Sequence, residues 1–215
     1  MDRRERRRLE MRERLERAAM ELMVEHPLED ISVKDITDRA DVASTTFYAH
    51  FDTKEQLAES LAVPVREEFT GAVAQCLFGH SDPLVALAMT AGAVFAEMDR
   101  DPVFVRLALN LRDDVDAFGG PVDSGLAAAY DRLIETGVVP EPRNRQMVVM
   151  MVRESVRAAL RRHVRHPVKA SDFTAIAFAF FNVPAELAAD IAPQADDAPP
   201  LRDLAGQLVG AGTPG

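Results

Sequence analysis

Several groups of residues in this 215-residue chain have types and spacings that could do chemistry. His163-x-x-His166 has the spacing of two metal ligands on one helix face, but Arg161, Arg162 and Arg165 crowd it. Cations so close repel a metal ion and suit a helix C-terminus instead. The carboxylates of Glu97, Asp99, Asp113, Asp114 and Asp116 have no acid–base partner visible in the sequence. Arg153, Arg157 and Arg161, at spacing four, read as a solvated stripe paired with acids. The remaining group is Lys34, Ser44, Thr45, Thr46, Tyr48, His50 and Lys54. Hydroxyls, an imidazole and ammonium groups of this kind hydrogen-bond to phosphate oxygens and base edges. No Gly-rich phosphate loop, nucleophile elbow or zinc pattern appears, so neither an enzyme, a cofactor nor a metal site is expected.

The elements that must position this last group are short. Ser32 is a good N-cap, and Asp35 three residues on can complete a capping box. Val33, Ile36 and Ala40 then share one helix face, and Asp41-Val42 makes a turn. A second helix over Ser44–His50 buries Phe47 and turns Ser44, Thr45, Tyr48 and Ala49 outward, with Phe51 buried just beyond. That is a helix-turn-helix pattern with a candidate recognition helix. Before it, Leu15, Ala18, Ala19 and Leu22 give the first helix, about Arg3 to Glu25, an apolar stripe that packs across both. Its Arg-rich start lacks the stripe: it either frays and orders on DNA as an arm, or is a solvated helix start with Arg–Glu pairs. Pro27 ends this helix. Thr53 caps a fourth helix, with Gln56 at the third position of a capping box, running through Leu57, Leu61 and Pro64 toward Phe78.

The run Arg14-Leu15, Ala18-Ala19, Leu22, Ile31-Ser32-Val33, Asp35-Ile36, Ala40-Asp41-Val42, Thr46-Phe47-Tyr48, His50-Phe51, Thr53-Lys54-Glu55 and Leu57 resembles the start of a TetR-family regulator. Three positions depart from that pattern. Gly is usual where Asp41 stands, Ser or Thr is common at Ala43, and Lys often occupies the place of Ser44. Asp tolerates the left-handed conformation, so the turn survives. The other two changes alter sequence preference or weaken phosphate contact. The resemblance implies an all-α fold: a three-helix DNA-binding head over residues 1–53, then a helical ligand-binding and dimerisation domain over 54–190. It further implies that Lys34, Ser44, Thr45, Thr46, Tyr48, His50 and Lys54 occupy the DNA-contact positions. Of these, Tyr48, His50 and Lys54 are expected at phosphate, and Lys34 and Thr45 at base edges. The function expected is a ligand-responsive regulator, a repressor on a palindromic operator. The alternative is a small-molecule-binding or protein-interaction module whose head no longer reads DNA.

Composition constrains this reading. Net charge is −10, which argues against a generic nucleic-acid coat and not against a sequence-specific reader. The first eight residues hold five Arg against Asp2 and Glu5, yet residues 1–60 hold eleven Lys/Arg against fifteen Asp/Glu. The case for DNA therefore rests on the motif. A single cysteine, Cys76, leaves no intrachain disulfide, and no apolar run reaches membrane-span length. A soluble, cytoplasmic protein is expected.

Beyond Asp82 the chain reads as helices punctuated by turns. Asp82-Pro83 and Asp101-Pro102 look like an N-cap followed by Pro at the first helical position, and Gly137 like a C-cap. Phe118-Gly119-Gly120-Pro121 reads as a loop. The middle helices carry Met89, Phe95, Met98, Phe104, Leu107, Asn110, Leu111 and Tyr130, expected to wall a pocket for an apolar or amphipathic effector. Two later helices, about 143–165 and 171–181, carry Val148, Met151, Val152 and Val156, then Phe173, Ile176 and Phe180. These stripes are expected to pair with a second copy in a homodimer, as the resemblance implies, or else to pack within one chain. Residues 191–215 are rich in Pro, Ala, Asp and Gly and are expected to be flexible, with at most a short helix near Leu201 to Leu208.

Overall fold

The computed structural model describes residues 2–26, 28–109 and 121–211, and every regular element among them is helical. The chain divides into two units, Met1–Arg66 and Glu67–Gly215. The division falls inside the helix α4 (Lys54–Gly79), not at its start, because Leu57, Ala58 and Ala62 are buried with the head. Pro27 and residues 110–120, with Asp113, Asp114, Asp116 and the Phe118–Gly120 turn, lie outside the described residues.

In the first unit, α1 (Arg3–Glu25) lays Leu15, Ala18, Ala19 and Leu22 against α2 (Val33–Ala40), which returns Ile36, Thr37 and Ala40. The capping box forms as read: Asp35 N–H donates to Ser32 Oγ at 3.1 Å and Ser32 N–H to Asp35 Oδ2 at 2.8 Å. The Ser32 hydroxyl also donates to Asp35 Oδ2 at 2.6 Å, and this bond first, then that from the Ser32 N–H, holds the Asp35 carboxyl below its ordinary pKa. The chain then reverses through Asp41, left-handed at φ 52° and ψ 55°. Arg14 reaches from α1 to donate to Ala40 O at 2.6 Å and Asp41 O at 3.2 Å, satisfying carbonyls that the end of α2 leaves open. The next helix, α3 (Ser44–Tyr48), is anchored by buried Phe47 and by Phe51 just after it.

The second unit is built around α5 (Pro83–Arg100), which is buried on almost every side. It packs against α6 (Pro102–Leu109), α7 (Pro121–Glu135), α9 (Ala170–Phe180), α10 (Ala185–Ile191) and α11 (Leu201–Ala211), while α8 (Arg145–His163) packs on α7 and α9. The expected punctuation holds. Asp82 Oδ1 accepts from Leu84 N–H at 2.8 Å, Asp101 Oδ1 accepts from Phe104 N–H at 3.1 Å, and Gly137 has φ 72°. After α9 the chain turns through Asn182, at φ 63°, so α9 and α10 are separate helices rather than one.

The C-terminal segment corrects the sequence expectation. Ala192–Asp197 forms a 3-10 turn and Leu201–Ala211 a helix, where a flexible tail with at most a short helix near Leu201 to Leu208 was expected. Small residues here serve close backbone approach rather than disorder. A Cβ at Gly92 would sit 1.9 Å from Ala195 O, and one at Gly79 2.8 Å from the Leu208 side chain. Ser171, in the first turn of α9, donates its N–H and hydroxyl to Asp196 at 2.9 and 2.6 Å. Leu201, Leu204 and Ala205 are buried. Gly92→Ala is therefore expected to cost about 1–3 kcal/mol, the range for overpacking a fitted contact. Urea unfolding checks this; an unchanged midpoint would mean the segment is not seated on α5.

Candidate nucleic-acid interface and internal cavity

The exposed surface of the head contains most of the expected contact residues. Ser44, Thr45 and Tyr48 are exposed on α3, Tyr48 at 59%, and Thr46 and His50 are half-buried beside them. Phe47, fully buried, aims the helix: its ring meets Tyr48 edge-on at 5.5 Å and Phe51 at 5.8 Å. Lys34 is exposed on α2 and ion-paired with Asp38 one turn on, which keeps its pKa raised. His50 has its pKa lowered, first by burial and then by the nearby Arg8 and Arg12 cations. The Arg12 guanidinium lies 4.9 Å from the Phe51 ring centroid and pairs with Glu16 at 2.8 Å. Sequence reasoning missed Arg8 and Arg12 as neighbours of His50, because that proximity joins the first helix to the end of the motif.

Lys54 is held inside the unit. Its ammonium, expected at phosphate, donates to Leu28 O at 2.9 Å, Glu29 O at 3.1 Å and Ile31 O at 2.6 Å. Three carbonyls converge there because the 3-10 turn Leu28–Asp30 ends beside the first turn of α4. An ammonium has three N–H donors, and all three are used.

The second unit holds an apolar cavity of about 100 Å³. From α4 come Phe69, Val73 and Leu77, and from α5 Leu87, Thr90, Ala91, Val94 and Phe95. Leu109 and Leu126 close one part of the wall; Val152, Arg153 and Val156 of α8 form another. Phe173, Thr174, Ala177 and Phe178 of α9, with Phe181, complete it.

Of the expected pocket residues that are described, only Phe95 lines this space. Asn110 and Leu111 lie outside the described residues. Met98, Leu107 and Tyr130 are buried elsewhere in the core, and Met89 is half-buried away from the cavity. Phe104 packs under the Arg202 guanidinium, 4.2 Å from its ring centroid. The apolar character was legible, but the wall was not: it is made by faces of α4, α8 and α9 whose partners the sequence does not specify.

The expected dimer residues also divide. Val152, Val156 and Phe173, expected at an interface, line the cavity of this chain. Met151 and Ile176 are exposed at 41% and 56%, and Val148 and Phe180 are half-buried. Met147 and Met150 join the exposed side of α8, at 49% and 37%. This helix is apolar on two sides, so its periodicity alone did not separate the inward face from the outward one. Of the histidine pair, His163 is buried, with Nδ1 accepting from Val168 N–H at 3.0 Å and Nε2 2.9 Å from Asp99 Oδ1. Those bonds engage both ring nitrogens.

A buried Phe that presents a polar helix beyond a tight turn defines a helix-turn-helix in the first unit, and the second unit is helical and holds the cavity. Residues 16–61, within the N-terminal unit, match the profile of the bacterial regulatory proteins of the tetR family. No curated protein sequence matches the chain. Among solved structures, RolR without ligand is similar at 22% identity and TM-score 0.63, over 84% of this chain and 95% of RolR. FadR from Bacillus subtilis, in complex with stearoyl-CoA, is similar at 18% identity and TM-score 0.60, over 80% of this chain and 97% of FadR. SmeT, described as the repressor of the Stenotrophomonas maltophilia multidrug efflux pump SmeDEF, is similar at 18% identity and TM-score 0.56, over 86% of this chain and 89% of SmeT. At these identities the likeness establishes the shared all-α fold. No helix among the described residues is long and apolar enough to cross a membrane.

Lys54→Met separates the two roles of that ammonium. Removing its hydrogen bonds is expected to cost about 1.5–3 kcal/mol of stability, the range for hydrogen bonds to charged groups. The slope of log affinity for DNA against log salt should stay put. A slope lowered by about one unit at unchanged stability would return Lys54 to phosphate.

Proposed function

We propose that the chain is a homodimeric repressor, released from a palindromic operator when a small lipophilic effector enters the cavity of the second unit. The observation that carries this reading is the wall formed by Phe69, Val73 and Leu77, because α4 continues N-terminally into the DNA-binding unit. An occupant that shifts this wall acts on a helix the head is built on. Its differential affinity for the two arrangements is the signal.

On DNA, Ser44, Thr45 and Thr46 meet the major groove, with Thr45 and Lys34 at base edges and Tyr48 and His50 at phosphate. Lys34 must release Asp38 to do so. The half-buried His50 is the pH-sensitive member. Its pKa is lowered in the free protein, and a phosphate beside it raises that pKa. Binding then takes up a proton, so affinity rises as pH falls below 7. Titration of operator affinity from pH 7.5 to 6 should show this rise, and His50→Gln should flatten it. An equal rise in both proteins would remove His50 from the phosphate.

The effector class follows from the wall. Apart from Thr90, Thr174 and Arg153 every lining residue is apolar, so a sugar or nucleotide would leave hydroxyls and phosphates unsatisfied. Similar structures hold resorcinol in RolR, stearoyl-CoA in FadR and triclosan in SmeT. For the dimer, the outward face of α8 and α9 carries Met147, Met150, Met151 and Ile176. Sedimentation of the purified protein at micromolar concentration should give a dimer, and Met151→Asp should dissociate it by stranding a charge among apolar side chains. A monomeric wild type would overturn this part.

Selection from a random DNA pool tests the whole reading. Half-sites related by a dyad and lying about 34–36 Å apart, or a multiple of that, are expected. Recovery of no preferred sequence would favour the rival reading, a ligand-binding or interaction module with a head that does not read DNA.

A further inference from the structure

The Arg-rich start of α1 lies outside the helix-turn-helix, yet it does not fray: the helix begins at Arg3. Residues 3–12 hold six Arg against Glu5 and Glu10, in a chain whose net charge is −10. Every residue from Asp2 to Glu10 is exposed, and Leu15 is the first buried one. At about 1.5 Å per residue, Arg3–Glu10 carries the helix about 12 Å past the packed core of the head.

That extension is directional. The core-facing row of α1, Leu22, Ala19 and Leu15, continues at spacings of three and four through Arg12, Arg8 and Arg4. Arg12 marks where the row leads. Its guanidinium lies 4.9 Å from the Phe51 ring centroid, and the Phe51 and His50 rings are 6.5 Å apart. Arg8 and Arg4 therefore stand about one and two turns beyond the end of the motif, with Arg8 near enough for its charge to lower the His50 pKa. Arg12 is committed to Glu16 at 2.8 Å, and Arg6, on the opposite side of the helix, lies 3.9 Å from Glu10. Neither Arg4 nor Arg8 has an ion pair among the described residues. Like charges at this spacing repel each other, a cost that an anion between them removes.

We propose that Arg8 and Arg4 hold the sugar–phosphate backbone that flanks each half-site, Arg8 beside the phosphate at His50 and Arg4 one helical turn farther out. This rests on the reading of α3 as the recognition helix with His50 at phosphate. The partner is the backbone and not the base edges of the flanking minor groove, because a helix about 10–12 Å across does not enter a groove about 6 Å wide. A guanidinium fork matches two phosphate oxygens. The contact carries no sequence information, and it lengthens the footprint on both sides of the palindrome.

The test compares the full-length wild type with Arg4→Gln, Arg8→Gln and Arg6→Gln on a palindrome recovered from the random pool, following affinity from about 50 to 200 mM salt. Arg4→Gln and Arg8→Gln should each make the slope of log affinity against log salt shallower by about two for a dimer, roughly one per head. Preferred bases and urea midpoints should not change. Arg6→Gln removes the same charge from the opposite side of α1 and should leave the slope nearly as it was. Slopes for Arg4→Gln and Arg8→Gln no shallower than that for Arg6→Gln, on a palindrome the wild type binds, would overturn this contact alone. New base preferences outside the half-sites would put these side chains in the minor groove and overturn the backbone assignment. A wild type that selects no sequence would overturn the DNA-reading head, and this contact with it.

Discussion

A carboxylate with no exposed surface organises the second unit. Glu97, on α5, is fully buried and could not remain charged there alone. Arg100 donates to it from the same helix at 2.9 and 3.1 Å. Arg202, from α11, adds its backbone N–H at 3.1 Å and its guanidinium at 2.7 and 3.1 Å. Glu97 thus also serves as the acceptor at the first turn of α11. Arg202 continues to Asp101 at 2.9 Å and covers the Phe104 ring, while Arg100 pairs with Asp203 at 2.8 Å. One buried acid therefore fixes the C-terminal helix, the end of α5 and the start of α6 together. Breaking such a pair costs far more than forming it gains, so its effect is to define one arrangement rather than to add stability.

With the C-terminal segment held in this way, α5 is enclosed and its Leu87–Phe95 stretch can form one wall of a chamber. The chamber exists because small residues, Ala91, Thr90, Thr174 and Ala177, alternate with Phe along facing helices. Close packing fails where those short side chains meet, and an apolar space remains. Arg132 fixes another side by donating to Leu77 O, His80 O and Ser81 O at 3.0 Å, which closes the C-terminal end of α4. The wall is thus built from pinned helix ends around a deliberately thin centre.

The head follows the same rule on a smaller scale. Its cations are largely committed within the unit: Lys54 to three carbonyls, Arg14 to the turn, Arg39 to Glu25 at 3.2 Å and Glu21 at 3.5 Å. Each commitment satisfies a backbone or carboxylate group that the short helices cannot satisfy alone. What remains outward on α3 is short, uncharged and hydroxyl-bearing, ending in Tyr48 and His50. An acidic chain can present such a surface to DNA because what matters is the charge on the docking face, not the net charge.

The sequence by itself determined whatever depends on a few neighbouring residues. The capping box at Ser32 and Asp35, the caps at Asp82 and Asp101, the left-handed Asp41 and Gly137 and the burial of Phe47 all follow from short-range chemistry. So did the family resemblance, which is carried by that same short stretch. Only the tertiary structure decided which side of α8 faces the cavity, where Lys54 spends its protons, and whether the Ala- and Pro-rich end of the chain is ordered. Those outcomes depend on partners distant in sequence, as with Glu97 and Arg202, 105 residues apart. A helix with two apolar sides, or a tail with small side chains, gives no local sign of what it will meet. The physical reason is that side-chain periodicity reports how much surface must be buried, while the identity of the burying surface is set by the whole packed assembly.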